Sequence, residues 1–274
     1  MPSSQRSLRV TSAYRERLAG IQSRLARDVG GIWDAIDPAD FSGTYDAARV
    51  ARLIEAAQRR AAQTSSGYLS AFLSSELGRR TSGLPTSIDT GETPAGRPLT
   101  AATFGVILGV KQKIGEGATV ADALALGRVE LLRLADVAAY RVARQTLTRG
   151  LTADDRFTGW RRAVRGTCGA CLGAATGSLA SPGEEIETHP GCQCVQEPQV
   201  RGVAQRFHRP SGATIFAAYS VARQNELLGE EKAQLVRDGH YELADLIDHS
   251  PIEHGPDILT ERPLDALKRR SATE

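Results

Sequence analysis

Five residues in one window can do chemistry together. Cys168 and Cys171 form a C-x2-C pair, and after 17 residues His189, Cys192 and Cys194 form H-x2-C-x-C. These are all four cysteines of the 274-residue chain. Thiolates and imidazoles in two tight pairs are the usual ligands of tetrahedral zinc. A C-x2-C turn lets two sulfurs face one ion, and Gly169 suits it because glycine adopts positive φ. Pro190 and Gly191 keep bulky side chains away from the second pair. Five ligand types compete for four places. Cys168, Cys171 and His189 are the firmest, and Cys192 and Cys194 compete for the last, the other packing as a small buried thiol. Disulfides, for which four cysteines allow three connectivities, and plain unpaired thiols are the alternatives.

The site reads as structural zinc rather than catalytic zinc. Catalytic zinc keeps a position open for water, and here ligands are in surplus. The deaminase pattern of H-x-E followed by P-C-x-x-C is missing, as is the metalloprotease H-E-x-x-H. Glu184, Glu185 and Glu187 sit in a Gly- and Pro-bearing stretch and read as an exposed acidic turn. No phosphate-binding G-x-x-x-x-G-K-[ST] loop or G-x-S-x-G elbow occurs. His208, His240, His249 and His254 are scattered singly. The expectation is a protein without enzymatic activity.

The elements that must position this window are mostly helical. Tyr14, Leu18, Ile21 and Leu25 recur at helical spacing, as do Val50, Leu53, Ile54 and Ala57, continuing to Tyr68, Phe72 and Leu73. Ser42 or Thr44 offers a cap between the two runs. Residues 79–98 have no period and read as a long exposed loop. An apolar segment follows around Phe104, Val106, Ile107 and Val110. Thr119 and Asp122 have the form of a capping box opening a helix that Gly150 closes. Leu124, Leu131, Leu134, Ala138 and Val142 share one face of it, and Arg133, Arg141 and Arg144 another, either a solvated face or a phosphate-contacting stripe. The stretches at 157–166 and 192–200 look extended and can pair as a ribbon below the metal. Short helices follow, with Gly229 and Gly239 as C-caps, and the tail from Ser250 reads as an irregular arm carrying a basic KRR. The fold class is therefore mainly α with a small β element (α+β). Its parts are a helical region 1–98, a helical region 99–156, a zinc-binding β module 157–200, and short helices with an arm over 201–274.

Net charge is only +2, which does not announce a nucleic-acid binder. The charge is uneven, however: residues 98–170 carry 11 basic and 6 acidic side chains, and 171–274 carry 10 and 16. Such asymmetry fits a protein that touches several neighbours. The N-terminal MPSSQRSLRV lacks the apolar core of a secretory signal. The longest apolar run, 99–110, falls short of the ~20 residues that span a bilayer. No membrane partner is expected, and a reducing cytoplasm is the expected place of synthesis.

The order of Trp160, Arg161, Arg162, Val164, Cys168, Cys171, His189, Pro190, Cys192 and Cys194 after a helical half resembles the MuF-like minor head proteins of tailed bacteriophages. Residues 216–247 look like the helical continuation found in versions from phages of actinobacteria, and the resemblance covers about residues 100–260. An arginine is usual between the last two cysteines of that family; Gln193 stands there in this chain. The resemblance implies a minor capsid component inside the virion near the portal, present in the host cytoplasm during assembly. It implies portal or capsid proteins as partners and a part in head morphogenesis, DNA packaging or delivery. Contacts with DNA, or with further copies of the chain, are compatible with it. The alternative is a DNA-binding protein or metal-dependent nuclease delivered with the genome.

Overall fold

The computed structural model describes residues 3–81, 90–164, 168–189, 191–203, 210–252 and 255–271. It is mainly α with two small antiparallel sheets, as expected. In chain order it runs α1 (Ser3–Asp34), α2 (Phe41–Thr44), α3 (Ala47–Leu77), α4 (Leu99–Gly115), α5 (Val120–Ala153), β1 (Phe157–Ala163), α6 (Gly169–Gly173) and β2 (Val195–Val200). Then come α7 (Gly212–Ala217), α8 (Val221–Leu228), α9 (Glu230–Arg237), a 3-10 turn (Leu243–Leu246), β3 (Ile247–Ile252), β4 (Gly255–Glu261) and α10 (Leu264–Ser271). The chain divides into two compact units: residues 8–74 with 79–150, and residues 1–7 with 75–78 and 151–274.

In the first unit α1 and α3 run antiparallel, because their apolar faces carry matching polar pairs. Tyr14 stacks on Tyr68 with ring centroids 4.2 Å apart. Its hydroxyl lies 2.7 Å from Ser65 Oγ, and Thr11 Oγ1 lies 3.1 Å from the Tyr68 hydroxyl. Burial pushes the Tyr14 phenol well up, so it stays a neutral hydrogen-bonding group. Gln58 is fully buried on α3. Its amide donates to the carbonyls of Glu92 (2.8 Å) and Ala138 (3.4 Å), and its oxygen accepts from Gly91 N–H (2.8 Å). One side chain thus ties α3 to the segment before α4 and to α5. Trp33 donates to the Leu124 carbonyl at 3.1 Å and fills the space that a side chain at Gly127 would need.

Several local expectations change. Thr119 and Asp122 do cap α5, with Asp122 N–H donating to Thr119 Oγ1 at 3.1 Å. The helix runs past Gly150 to Ala153, because Leu147 and Leu151 are both buried on its inner face. Asp40 caps α2 and Asp46 accepts from Arg49 N–H at 2.8 Å, so carboxylates replace the hydroxyls of Ser42 and Thr44. Of the stretch 79–98, residues 82–89 lie outside the described residues. The rest is anchored: Thr81 bonds Ser74, and Glu92 bridges Pro98. Of the apolar segment around Phe104, Val106, Ile107 and Val110, Phe104 is exposed and the other three are buried. Arg144 lies over the Tyr140 ring at 5.2 Å and is half-buried like Arg141, whereas Arg133 is exposed, so the three do not form one solvent-facing row.

In the second unit β1 and β2 pair antiparallel, with Trp160 opposite Pro198 and Arg162 opposite Gln196. The expected ribbon exists. Ala180 joins it through two backbone bonds to Trp160, of 2.9 and 3.0 Å. The tail is not an irregular arm. β3 and β4 form a hairpin with Ile247 opposite Glu261, and α10 follows. Pro251, Gly255 and Pro256 concealed this in the sequence, since each weakens a strand pattern. The core here gathers Leu172, Phe216, Leu228, Leu243, Leu246 and Leu267. Gly229 (φ 79°) and Gly239 (φ 75°) end α8 and α9 as expected. His240 is exposed; His208 and His254 lie outside the described residues.

Candidate metal centre

Three elements bring the five ligand side chains together. Cys168 is the N-cap of α6, with extended backbone, and its sulfur accepts the Cys171 N–H at 3.3 Å. The C-x2-C pair is therefore a helix cap in which both sulfurs turn to one side. Gly169 does not take positive φ here. It is needed for room instead, since a Cβ would lie 2.4 Å from Leu228 and 2.7 Å from the Glu261 carboxylate. On the second side, Cys192 N–H donates to the His189 carbonyl at 3.0 Å. Gly191 closes this turn at φ 76°, and open space surrounds it, so conformation and not crowding requires glycine there. Pro190 lies outside the described residues. Cys194 leads directly into β2.

The sulfurs and the imidazole converge. His189 Nε2 lies 2.9 Å from Cys168 Sγ and 3.1 Å from Cys171 Sγ, and Cys171 Sγ lies 3.4 Å from Cys192 Sγ. Two groups of three, Cys168–Cys171–His189 and Cys171–Cys192–Cys194, each have all ligand atoms within 4.8 Å of one another. Cys171 belongs to both. None of the four cysteines is in a disulfide. Cys171, Cys192 and Cys194 are buried at 2–4% exposure, whereas Cys168 and His189 are half-buried.

The cluster is a competition for protons. The Cys168 thiol is pulled down to about 4 by the hydrogen bond from Cys171 and by His189 beside it, against its burial. His189 is pushed up to about 10, because the Cys168 and Cys192 sulfurs hold its proton. Cys171 is pushed strongly up by its bonds to Cys168, Cys192 and Cys194 and by burial. At Cys194 the bond to Cys171 lowers the value, but the bond to Cys192 and burial outweigh it, pushing the thiol up to about 12. A dication does the same work better: it neutralises several thiolates at once and needs the ring nitrogen unprotonated.

Residues outside the motif frame the cluster. Arg162, on β1, donates from Nη2 to the Glu187 carbonyl at 2.8 Å, and its charge favours the Cys194 thiolate. Trp160 Nε1 donates to the Glu184 carbonyl at 3.0 Å. Together they fasten the intervening loop to the ribbon. Both residues belong to the tryptophan–arginine run of the sequence, but their use depends on strand register, which spacing alone does not reveal. Glu184 and Glu185 are exposed, as expected, and Glu187 is half-buried. Among the described residues no helix is long and apolar enough to cross a membrane. No family model, no curated protein and no solved structure matches the chain.

Proposed function

We infer that this is a non-enzymatic assembly protein in which one structural zinc clasps α6 to the turn before β2. Cys168, Cys171, His189 and Cys192 are the proposed ligands. Cys194 packs behind them as a buried thiol. The observation that carries the reading is the convergence of five ligand side chains around Cys171, three of them almost wholly buried. Such a set favours a closed coordination sphere over one with a water-bearing position. A two-stranded ribbon and a five-residue helix bury too little to hold themselves, and an ion supplies what is missing.

The resemblance to MuF-like minor head proteins rests on the tryptophan–arginine run and the Cys/His spacing. It motivates the biological setting: a minor capsid component within the virion, bound to portal or capsid protein during head morphogenesis. The test has two parts. Metal analysis of the full chain is expected to give one zinc per chain. Co-expression with the portal or capsid protein of a tailed phage is expected to give a complex that survives gel filtration. Absence of zinc overturns the clasp, and absence of a complex with either portal or capsid protein overturns the setting.

A nucleic-acid role is the second reading, favoured by the 11 basic against 6 acidic side chains over 98–170. It requires DNA affinity that falls steeply with salt. Filter binding at two salt concentrations separates the readings: negligible binding at both removes this one.

A further inference from the structure

The strongest unassigned feature is the hairpin of α4 and α5. Among the described residues six large apolar side chains stand exposed, and four of them lie here: Phe104 (53%), Leu108 (48%), Leu126 (56%) and Val129 (65%). Between the helices runs an open groove of about 770 Å³. Its floor includes Gly105 and Gly109. A Cβ at Gly105 would meet only the Arg97 guanidinium, 3.8 Å away, and one at Gly109 would meet nothing within 4 Å. From Phe104 to Val110, helix α4 is thus apolar on both sides, before the exposed Lys111, Gln112 and Lys113 of its last turns. Val106, Ile107 and Val110 face the core, while Phe104 and Leu108 face outward. A helix apolar all round is one that is covered all round, and a clustered exposed apolar patch marks an interaction surface.

We propose that a second copy of this chain covers the groove, joining two protomers through a two-fold contact between their α4–α5 hairpins. Three observations select this occupant. The protruding pair Phe104 and Leu108 is adjacent, turn by turn, to the recessed pair Gly105 and Gly109. One surface therefore carries both knob and hole, as a two-fold interface requires, because each patch must fit itself. Glycines four residues apart also expose the backbone for close helix approach. Finally, the groove is bordered by three charged side chains, Arg97, Lys113 and Glu130; Lys113 pairs with Glu116 at 3.0 Å, whereas Arg97 and Glu130, of opposite sign, have no ion-pair partner among the described residues. Two-fold exchange sets Arg97 of each copy toward Glu130 of the other, forming two unlike pairs from one patch. A foreign partner or a lipid surface gives no reason for the rim to carry both signs.

Sedimentation equilibrium of the full chain, from about 1 to about 100 μM, tests the proposal. A reversible dimer is expected. The double variant Phe104→Asp, Leu108→Asp alters exposed side chains only, so a monomer with the parent's circular-dichroism spectrum, melting as the parent does below its dissociation constant, is expected together with a dissociation constant raised about a hundredfold. Arg97→Glu alone is expected to weaken the dimer, and adding Glu130→Arg to restore it. A chain that stays monomeric throughout overturns the proposal, as does a dimer indifferent to the Phe104/Leu108 variant, or an Arg97/Glu130 exchange no tighter than Arg97→Glu. A monomer that floats with neutral lipid vesicles would assign the patch to a membrane surface and equally overturn it.

Discussion

Gly212 lies so close to Leu172 that a Cβ on it would fall 1.8 Å from the Leu172 carbonyl oxygen. The contact is sealed by Gly212 N–H donating to the Ala175 carbonyl at 2.7 Å. Leu172 adjoins Cys171, so α7 braces the helix that carries Cys171 into the cysteine–histidine cluster. Gly212→Ala is expected to force the two backbones apart and destabilise the second unit by about 2 kcal/mol. Thermal melts with zinc present check this, and a variant as stable as the parent would show that α7 does not brace α6.

Removing ligands separates their roles. Cys168→Ser and Cys192→Ser are expected to lose stoichiometric zinc and to open the region 157–200 to limited proteolysis while residues 8–74 stay protected. Cys194→Ser is expected to keep one zinc, with affinity lowered about tenfold or less. Zinc retained in Cys192→Ser and lost in Cys194→Ser would exchange the two cysteines' places.

Acidity acts in opposite senses on the metal-free and metal-bound protein. Without metal, the lowered Cys168 thiol contributes stability above its ordinary value of 9.0, lost as pH falls through about 4. The raised His189 contributes stability below its ordinary 6.5, lost as pH rises through about 10. The two overlap best between 6.5 and 9.0, so the chelated protein should be most stable there. With zinc the His189 proton must leave, so affinity rises with pH across that window, and calorimetry in buffers of different ionisation enthalpy should detect proton release. Pure zinc affinity that is flat between those pH values would contradict the arrangement.

Cys168 is the half-exposed, thiolate-bearing member of the four cysteines. Chelated protein at neutral pH is expected to be alkylated there by iodoacetamide well before Cys171, Cys192 or Cys194. Zinc should suppress the reaction. Peptide mapping after brief labelling reads the order, and equal labelling of all four would mean the inner thiols are not enclosed.

Gln58→Ala is expected to cost about 3 kcal/mol, because it leaves Gly91 N–H and a buried carbonyl without their partner. Denaturant unfolding followed by Trp33 fluorescence measures it. A loss below about 0.5 kcal/mol would mean water replaces the amide.

The sequence revealed what depends on local pattern. The faces of α1, α3 and α5 follow the spacing of Tyr14, Leu18, Val50, Ile54, Leu131 and Val142, all six buried, while Leu53, Leu124 and Leu134 at the edges of those faces are half-buried. The convergence of the four thiols and His189 was legible because such side chains are rare in this chain and crowded into one window. What stayed hidden depends on partners distant in sequence. Gly169 looked like a turn residue but yields space to Leu228 and Glu261, which lie far along the chain. Gly150 looked like a stop, but buried neighbours carry the helix onward. The β3–β4 hairpin is written in residues that break strands when read alone. Phe104 had a core residue's chemistry, and only the packing of α4 against α5 shows that it points outward.

The uneven burial of the metal cluster separates how fast an ion moves from how firmly it is held. Cys168 and His189 form the outer edge, and the other three sulfurs lie inside. Loading and extraction of an ion would proceed across that edge, one bond at a time, with the inner thiolates last to let go. An ion bound in this cluster would therefore persist through long exposure to metal-poor surroundings, by the slowness of departure as much as by equilibrium strength.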